Sequence, residues 1–183
     1  KLKLSYNGEL LLDVKDRISE YAKMFIADNK YITARLDHSL YPWDVVIGLS
    51  SGSFESLSII NGVCVKTGNH INYIRDLIIN GLKPKVVKLL KNFREYKKTM
   101  IQSNLFIMIS GNIPNPAFDS QTKNNISGDT SKYLEYTLTN SVLLKIWKIL
   151  EPRLAEQYLA TRPVKNTKVS TTGIKKYKKA KFA

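Results

Sequence analysis

The segment Gln121-Thr122-Lys123 carries residue types well suited to binding a phosphate group. It lies in the stretch "NPAFDSQTKNN" (115–125), which follows the apolar run "LFIMIS" (105–110) and includes one of two closely spaced prolines, Pro114 and Pro116. A lysine ammonium is a compact charge with three N–H donors, and an amide and a hydroxyl add neutral donors beside it. Prolines restrict such a loop, so binding costs less conformational entropy. Residue types alone leave open the alternative of a solvated loop lysine.

Other candidate catalytic residues are few and dispersed. The two histidines, His38 and His70, belong to no HExxH motif, and the chain contains no CxxC, no Walker A sequence and no GxGxxG. His70 stands at a predicted helix start, which favours a capping or packing role over that of a general base. Cys64 is the single cysteine, which excludes an intramolecular disulfide, and its apolar surroundings predict a core position. The residues alone therefore predict neither a metal site nor a self-contained enzyme.

Two segments carry all of the net charge of +14. Residues 83–98 contain seven basic residues and one acid, and residues 162–183 contain eight basic residues and no acid. In the first segment the apolar residues form one helical stripe, and the basic residues lie mostly on the other side. A solvent-exposed helix face whose charges are almost all positive predicts contact with the phosphates of a polyanion. The alternative is an ordinary surface helix followed by a solvated tail.

Apolar periodicity predicts the order β-α-β-β-α-β-loop-α. Strands are predicted at 1–7, 43–50, 54–67 and 104–112, and the alternation in 54–67 slips register at Asn61-Gly62, where a bulge or hairpin is expected. Helices are predicted at 14–27 (capped by Asp13), at 68–82 with an extension or restart beyond Pro84, and at about 139–159 with a bend at Pro152. The helical region before residue 104 is expected to cross over between neighbouring strands of one sheet.

The length of 183 residues suits one well-buried domain with an appended segment. The sequence has no run of about 18 apolar residues and no signal-peptide core, so neither a membrane span nor secretion is predicted. It lacks an initial Met and begins inside a predicted strand, so we expect a fragment of a longer protein. A lone cysteine favours a cytoplasmic or nuclear compartment.

The phrase "NPAFDSQTK" resembles the QTK loop of type II DNA topoisomerases, which reads NP-x-F-DSQTK. The upstream stretch "LSSGSFESLSIINGVCVKTGNHINYI" (49–74) is similar to the family's strand followed by NG/NS-I-x-T-x-GG-x-H. "YNGELLLDVKDRISEYAKMFI" (6–26) resembles the join between the ATP-binding domain and the next domain, and "KKYKKAKFA" (175–183) resembles the approach to the TOPRIM domain. The resemblance covers essentially the whole chain. Asn69 follows a single Gly where the family often has two, so the turn before His70 is expected to differ.

The resemblance implies the transducer domain of the ATPase region. The implied fold is α+β (an α/β two-layer): a sheet like that of ribosomal protein S5 domain 2 with helices packed on it, a left-handed βαβ crossover and a long C-terminal helix. The implied division is 1–8 as the last strand of a preceding GHKL ATP-binding domain, 9–160 as the transducer with the QTK loop at 121–123, and 161–183 as a basic linker toward a TOPRIM domain.

The resemblance also implies roles for the residues selected above. Lys123 would be catalytic, contacting the γ-phosphate of ATP with Gln121 and Thr122 beside it, while ATP and Mg²⁺ are bound mainly by domains outside this chain. The implied partners are double-stranded DNA, the GHKL and TOPRIM domains, and a second copy of the chain in a homodimer. If the Lys-, Asn- and Ile-rich composition reflects an AT-rich genome, the source is a phage or large DNA virus and the protein acts in the host cell. The residues implied to bind DNA are Lys85, Lys88, Lys91, Arg94, Lys97 and Lys98.

One alternative function remains open on the sequence. A non-enzymatic, S5-like nucleic-acid-binding module would keep both basic segments but would give Lys123 no role toward a nucleotide.

Overall fold

The chain begins with a β-hairpin that stands apart from the main sheet. The computed structural model describes residues 2–14, 17–26, 30–90, 96–128 and 135–160. Strand β1 (Leu2–Tyr6) pairs antiparallel with β2 (Glu9–Val14) across Asn7-Gly8, whose φ angles of 50° and 84° are those of a tight two-residue turn. The predicted domain boundary after Gly8 falls at the tip of this hairpin and stays a prediction.

The helix that follows is shorter than predicted. The prediction of a helix over 14–27 is wrong in its first part, because Val14 still pairs with Leu2 in the hairpin, and α1 spans only Arg17–Ala22. Hydrogen bonds with β1 outweigh the helical spacing of the apolar residues here. An Asn-Gly turn predicts strands on both of its sides, and this signal could have found β2.

Five strands form the central sheet: β3 (Tyr31–Leu36), β4 (Trp43–Leu49), β5 (Glu55–Ile60), β6 (Val63–Val65) and β8 (Leu105–Gly111). A separate pair consists of β7 (Thr67–Gly68) and β9 (Asn125–Ile126). The order in the central sheet is β3-β4-β8-β5-β6. Strands β5 and β8 are parallel and the other neighbours are antiparallel, so a mixed sheet with helices confirms the α+β class. Of these five strands, β3 is absent from the predicted elements, although Ile32, Ala34 and Leu36 alternate toward the helices.

The connection from β5 to β8 runs through two helices, α2 (Asn69–Leu90) and α3 (Lys98–Gln102). Because β5 and β8 are parallel neighbours, the predicted crossover between neighbouring strands is confirmed, and its handedness stays a prediction. Helix α2 continues through Pro84, which removes the hydrogen bond to the carbonyl of Asn80. Both residues are exposed, so water can hydrate that carbonyl and the helix need not end there.

The register slip at Asn61-Gly62 is a hairpin between β5 and β6, with φ angles of 51° and 79°. Val65 points into the core and is fully buried. Side chains of a strand alternate between faces, so Cys64 faces the other way and is exposed. The predicted core position of Cys64 is therefore wrong. The sequence already indicated this, because Cys64 lies between two valines that face the core.

Helices cover one face of the sheet more fully than the other. Helix α4 (Asn140–Ala160) includes Pro152, and its bounds lie within one residue of the predicted range. It packs with α2 on a large apolar cluster that includes Trp43, Ile78 and Leu150. On the opposite face, a smaller cluster joins the region of α1 to the sheet: Ala22, Ile26, Val46, Phe106 and Met108. The exit of β8 and the start of α2 meet at one end of this framework.

Candidate functional site

The exit of the chain from β8 is held by two distant side chains, one in the turn after β5 and one in β4. The amide of Asn61 donates from Nδ2 to the carbonyl of Ile113 (2.8 Å) and accepts from the N–H of Ile113 at Oδ1 (3.0 Å). The indole Nε1–H of Trp43 donates to the carbonyl of Asn112 (3.0 Å). A Cβ on Gly111 would lie 2.1 Å from Trp43 Cδ1, so only glycine fits beneath the indole. The path into the predicted phosphate-binding loop is therefore fixed at its start.

The two sides of the loop are joined to each other and to α2. Phe118 and Ile126 form an antiparallel bridge, and the N–H of Ser127 donates to the carbonyl of Ala117 (3.1 Å). Strand β9 runs parallel to β7, which leads directly into α2. Nδ2 of Asn69, the first residue of α2, donates to the carbonyl of Ser127 (3.2 Å). The loop is thus carried by regular structure at both ends, an arrangement typical of functional loops.

The tip of the loop is a turn that presents Gln121, Thr122 and Lys123 to solvent. The N–H of Lys123 donates to the carbonyl of Ser120 (3.1 Å), which closes the turn. The hydroxyl of Thr122 lies 2.8 Å from that of Ser120 and accepts from Nδ2 of Asn124 (3.2 Å). These hydrogen bonds order the polar backbone beneath the three exposed side chains.

Lys123 itself adopts a backbone conformation that is unfavourable for lysine. Its φ of 54° lies in the left-handed region, which costs a non-glycine residue about 1–3 kcal/mol and is found preferentially at functional sites. Its ammonium lies 5.7 Å from the ring centroid of Phe118, and no carboxylate of the described residues forms a salt bridge with it. The tip therefore offers an uncompensated positive charge, with a hydroxyl and an amide beside it, to an incoming anion.

The predicted basic face lies at the other end of α2. Lys83 and Lys88 are exposed and Lys85 is half-buried, and Lys97 and Lys98 are exposed at the start of α3. Lys83 also places its ammonium 5.9 Å from the ring centroid of Tyr96. At 1.5 Å per residue, α2 separates Lys85 from Asn69 by about 24 Å. The structure therefore does not bring these lysines to the loop. Lys91 and Arg94 lie outside the described residues.

His70 is a packing residue, as its position predicted. It is fully buried, its Nε2 lies 2.7 Å from the hydroxyl of Ser58, and that hydroxyl donates its own hydrogen to the carbonyl of Val65 (2.9 Å). Ser58 must therefore accept from His70 Nε2–H, which leaves Nδ1 unprotonated. Burial lowers the pKa of His70 to about 4. A fully buried neutral imidazole whose Nε2–H is engaged by Ser58 is unsuited to general-base catalysis.

Two residues that order the loop, Asn61 and Trp43, are absent from the predicted site. Asn61 was visible only as a turn residue, since its partner Ile113 is 52 positions away in sequence.

Across the described ranges, no three His, Cys, Asp or Glu side chains are grouped so that they could hold a metal ion. Within the same ranges, no helix has the length and apolar character needed to cross a membrane.

A family model described as DNA gyrase B matches residues 13–159, so the chain belongs to the DNA gyrase B family. The resemblance to type II DNA topoisomerases is confirmed by relatives of that name. DNA topoisomerase 2 of Penicillium chrysogenum is 36% identical over 92 residues, which are 50% of this chain and 6% of that protein. DNA topoisomerase 2-alpha of Gallus gallus is 29% identical over 138 residues, or 72% of this chain and 8% of that protein.

Solved structures match in the same region. The ATPase region of Saccharomyces cerevisiae topoisomerase II is 28% identical with a TM-score of 0.65, and the match covers 85% of this chain and 40% of that chain. The 43K ATPase domain of Thermus thermophilus gyrase B, at 19% identity and a TM-score of 0.56 over 83% of this chain and 43% of that chain, shares the fold. The chain thus spans less than half of these ATPase regions and less than a tenth of the two relatives.

Proposed function

We propose that this chain is the transducer region of an ATP-dependent type II DNA topoisomerase, with Lys123 as the residue that contacts the γ-phosphate of ATP. The observation that carries the proposal is the state of Lys123: exposed, without a salt bridge among the described residues, and held at a φ of 54° on an anchored loop. Membership of the DNA gyrase B family and similarity to topoisomerase ATPase regions support nucleotide binding. In the proposed organisation, residues 1–8 are the last strand of a GHKL ATP-binding domain, residues 9–160 are the transducer, and residues 161–183 are a basic linker toward a TOPRIM domain. The transducer is proposed to contain an S5-like left-handed crossover.

The proposed chemistry at the loop is electrostatic. A preorganised ammonium stabilises charge that develops on the transferred phosphoryl group and needs no reorganisation at the moment of reaction. Once phosphate leaves, the contact is lost and the transducer is free to rotate relative to the nucleotide-binding domain. Gln121 and Thr122 add neutral donors to the same anion.

The fit of the loop to Mg²⁺ is poor. Lysine, glutamine amide and threonine hydroxyl suit a phosphate, whereas Mg²⁺ is held by carboxylates and phosphate oxygens, and the described residues contain no group of three acidic or other ligating side chains. We therefore propose that domains outside this chain bind the nucleotide and any metal ion. The proposed chemistry of the loop does not involve the ion.

The basic end of α2 is proposed to contact double-stranded DNA. Of the residues predicted to bind DNA, the structure describes Lys85, Lys88, Lys97 and Lys98. Contacts of flexible lysines with phosphates position DNA without reading its sequence and weaken steeply as salt is raised. A homodimer would place two such surfaces around one DNA segment.

The test of the loop is Lys123→Ala in the full-length enzyme that contains this chain. Because one electrostatic donor to the reacting group is removed, ATP turnover should fall by about a hundredfold, while DNA cleavage and the unfolding temperature stay unchanged. Lys145→Ala, an exposed lysine of α4, is the matched control and should turn over ATP normally.

Wild-type ATP turnover in Lys123→Ala would refute the role of the loop. That result would favour the alternative of a non-enzymatic nucleic-acid-binding module, in which DNA affinity depends on the basic surface and not on the loop.

A further inference from the structure

We propose that Asn61, at the turn between β5 and β6, is a positioning residue for Lys123. The inference rests on the proposed function of Lys123 and adds a second residue to it, one that touches neither nucleotide nor DNA. Its side-chain amide sets the direction in which the chain leaves β8 toward the loop.

Asn61 extends the pairing of β5 with β8 beyond the point where the two main chains separate. The regular register ends at Ile60 opposite Gly111, and the N–H of Asn61 still donates to the carbonyl of Gly111 (3.1 Å). The main chain then turns back into β6. From there the side-chain amide of Asn61 takes the place of a strand, because it both donates to and accepts from the backbone of Ile113, at 2.8 and 3.0 Å.

Ile113 connects the end of β8 to the loop, so its backbone orientation sets the direction in which the loop begins. Its side chain is buried at 2% exposure, and the next three residues are Pro114, Asn115 and Pro116. Proline holds φ near −65° and Asn115 is fixed at a φ of 44°. A rotation of the chain at Ile113 would thus be carried through a stiff segment and would displace the tip that holds Lys123.

The chain contains an internal control for this inference. Asn7-Gly8 and Asn61-Gly62 form the same kind of turn, with φ angles of 50° and 84° against 51° and 79°. Asn7 and Asn61 are both exposed, and both can be replaced by glycine without backbone strain. Of these two side-chain amides, that of Asn61 is the one that hydrogen-bonds to the backbone following β8.

The test compares Asn61→Gly with Asn7→Gly in the full-length enzyme, alone and combined with Lys123→Ala. Asn61→Gly should lower the kcat of ATP hydrolysis by about tenfold, within the hundredfold that a displacement of ~1 Å can cost. The KM for ATP should stay unchanged, because other domains are proposed to hold the nucleotide. Asn7→Gly should change neither constant. In the Lys123→Ala background, Asn61→Gly should cause no further loss, since the residue it positions is already absent.

Each result has a distinct meaning. Unchanged kcat in Asn61→Gly, or a loss that multiplies with that of Lys123→Ala, would overturn the inference. Normal turnover in Lys123→Ala alone would instead refute the proposed function, and Asn61 would then have no lysine to position. If Asn61→Gly fails to fold, Asn61→Asp serves the same cycle: it keeps the size of the side chain and accepts from Ile113 N–H but cannot donate to its carbonyl.

Discussion

Lowering the pH should destabilise this fold through one buried side chain, His70. In the folded protein His70 is neutral: Nε2–H donates to Ser58, and Nδ1 is buried with no hydrogen-bond partner among the described residues. Protonation at Nδ1 would create a charge and an unsatisfied N–H in the core beside Trp43, whose ring lies edge-on at 6.3 Å between centroids. Desolvation therefore lowers the pKa of His70 to about 4, from 6.5 for an exposed histidine.

The sign and size of the effect follow from proton linkage. Since the folded pKa is the lower one, the unfolded chain binds a proton more readily between pH 6.5 and 4, and stability falls as pH falls through that window. The two pKa values differ by about 2.5, and each unit corresponds to about 1.4 kcal/mol, so the full effect is about 3 kcal/mol. At pH 4.5 most of it should have been lost.

Urea unfolding followed by circular dichroism between pH 7.5 and 4.5 measures this term. Carboxylates also titrate near the acid end, so the quantity of interest is the difference between wild type and His70→Gln, whose amide can still donate to Ser58. At neutral pH the variant should be the less stable protein, because glutamine fills the site poorly. The difference in unfolding free energy should then shift by about 2–3 kcal/mol in favour of the variant at pH 4.5. Parallel pH profiles for the two proteins would refute the assignment of a buried neutral imidazole.

Two further variants test the packing at the loop and the basic surface. Gly111→Ala places a Cβ 2.1 Å from the buried Trp43, so unfolding in urea should show a loss of about 2–4 kcal/mol from overpacking and a strained hydrogen bond to Asn112; an unchanged midpoint would contradict the geometry. Lys85→Glu with Lys88→Glu should weaken DNA stimulation of ATP turnover in the full-length enzyme and flatten its salt dependence, whereas a response equal to wild type at every salt concentration would exclude this surface.

Much of the fold was predictable where local and long-range preferences agree. The Asn61-Gly62 turn, the most apolar strand β8 and the helix near 139–159 combine strong periodicity with clear punctuation. Strand β2 was missed, and Val14 was placed in the following helix, because three successive leucines show no alternation; pairing with β1 decides the conformation of this segment. The two-residue strands β7 and β9 carry no periodic signal, since they exist only because the loop returns to the start of α2.

The chemistry of the candidate site and its family can be read from the chain alone. Glutamine, threonine and lysine in that order, a few residues after two prolines, are properties of the sequence however it folds. Tertiary structure decided that Lys123 sits at a positive φ on a closed turn, and that Asn61, 52 residues before Ile113, directs the path toward it. The physical reason is that a hydrogen bond between distant residues depends on which strands become neighbours. Only the pairing of β5 with β8 brings the amide of Asn61 to the backbone of Ile113.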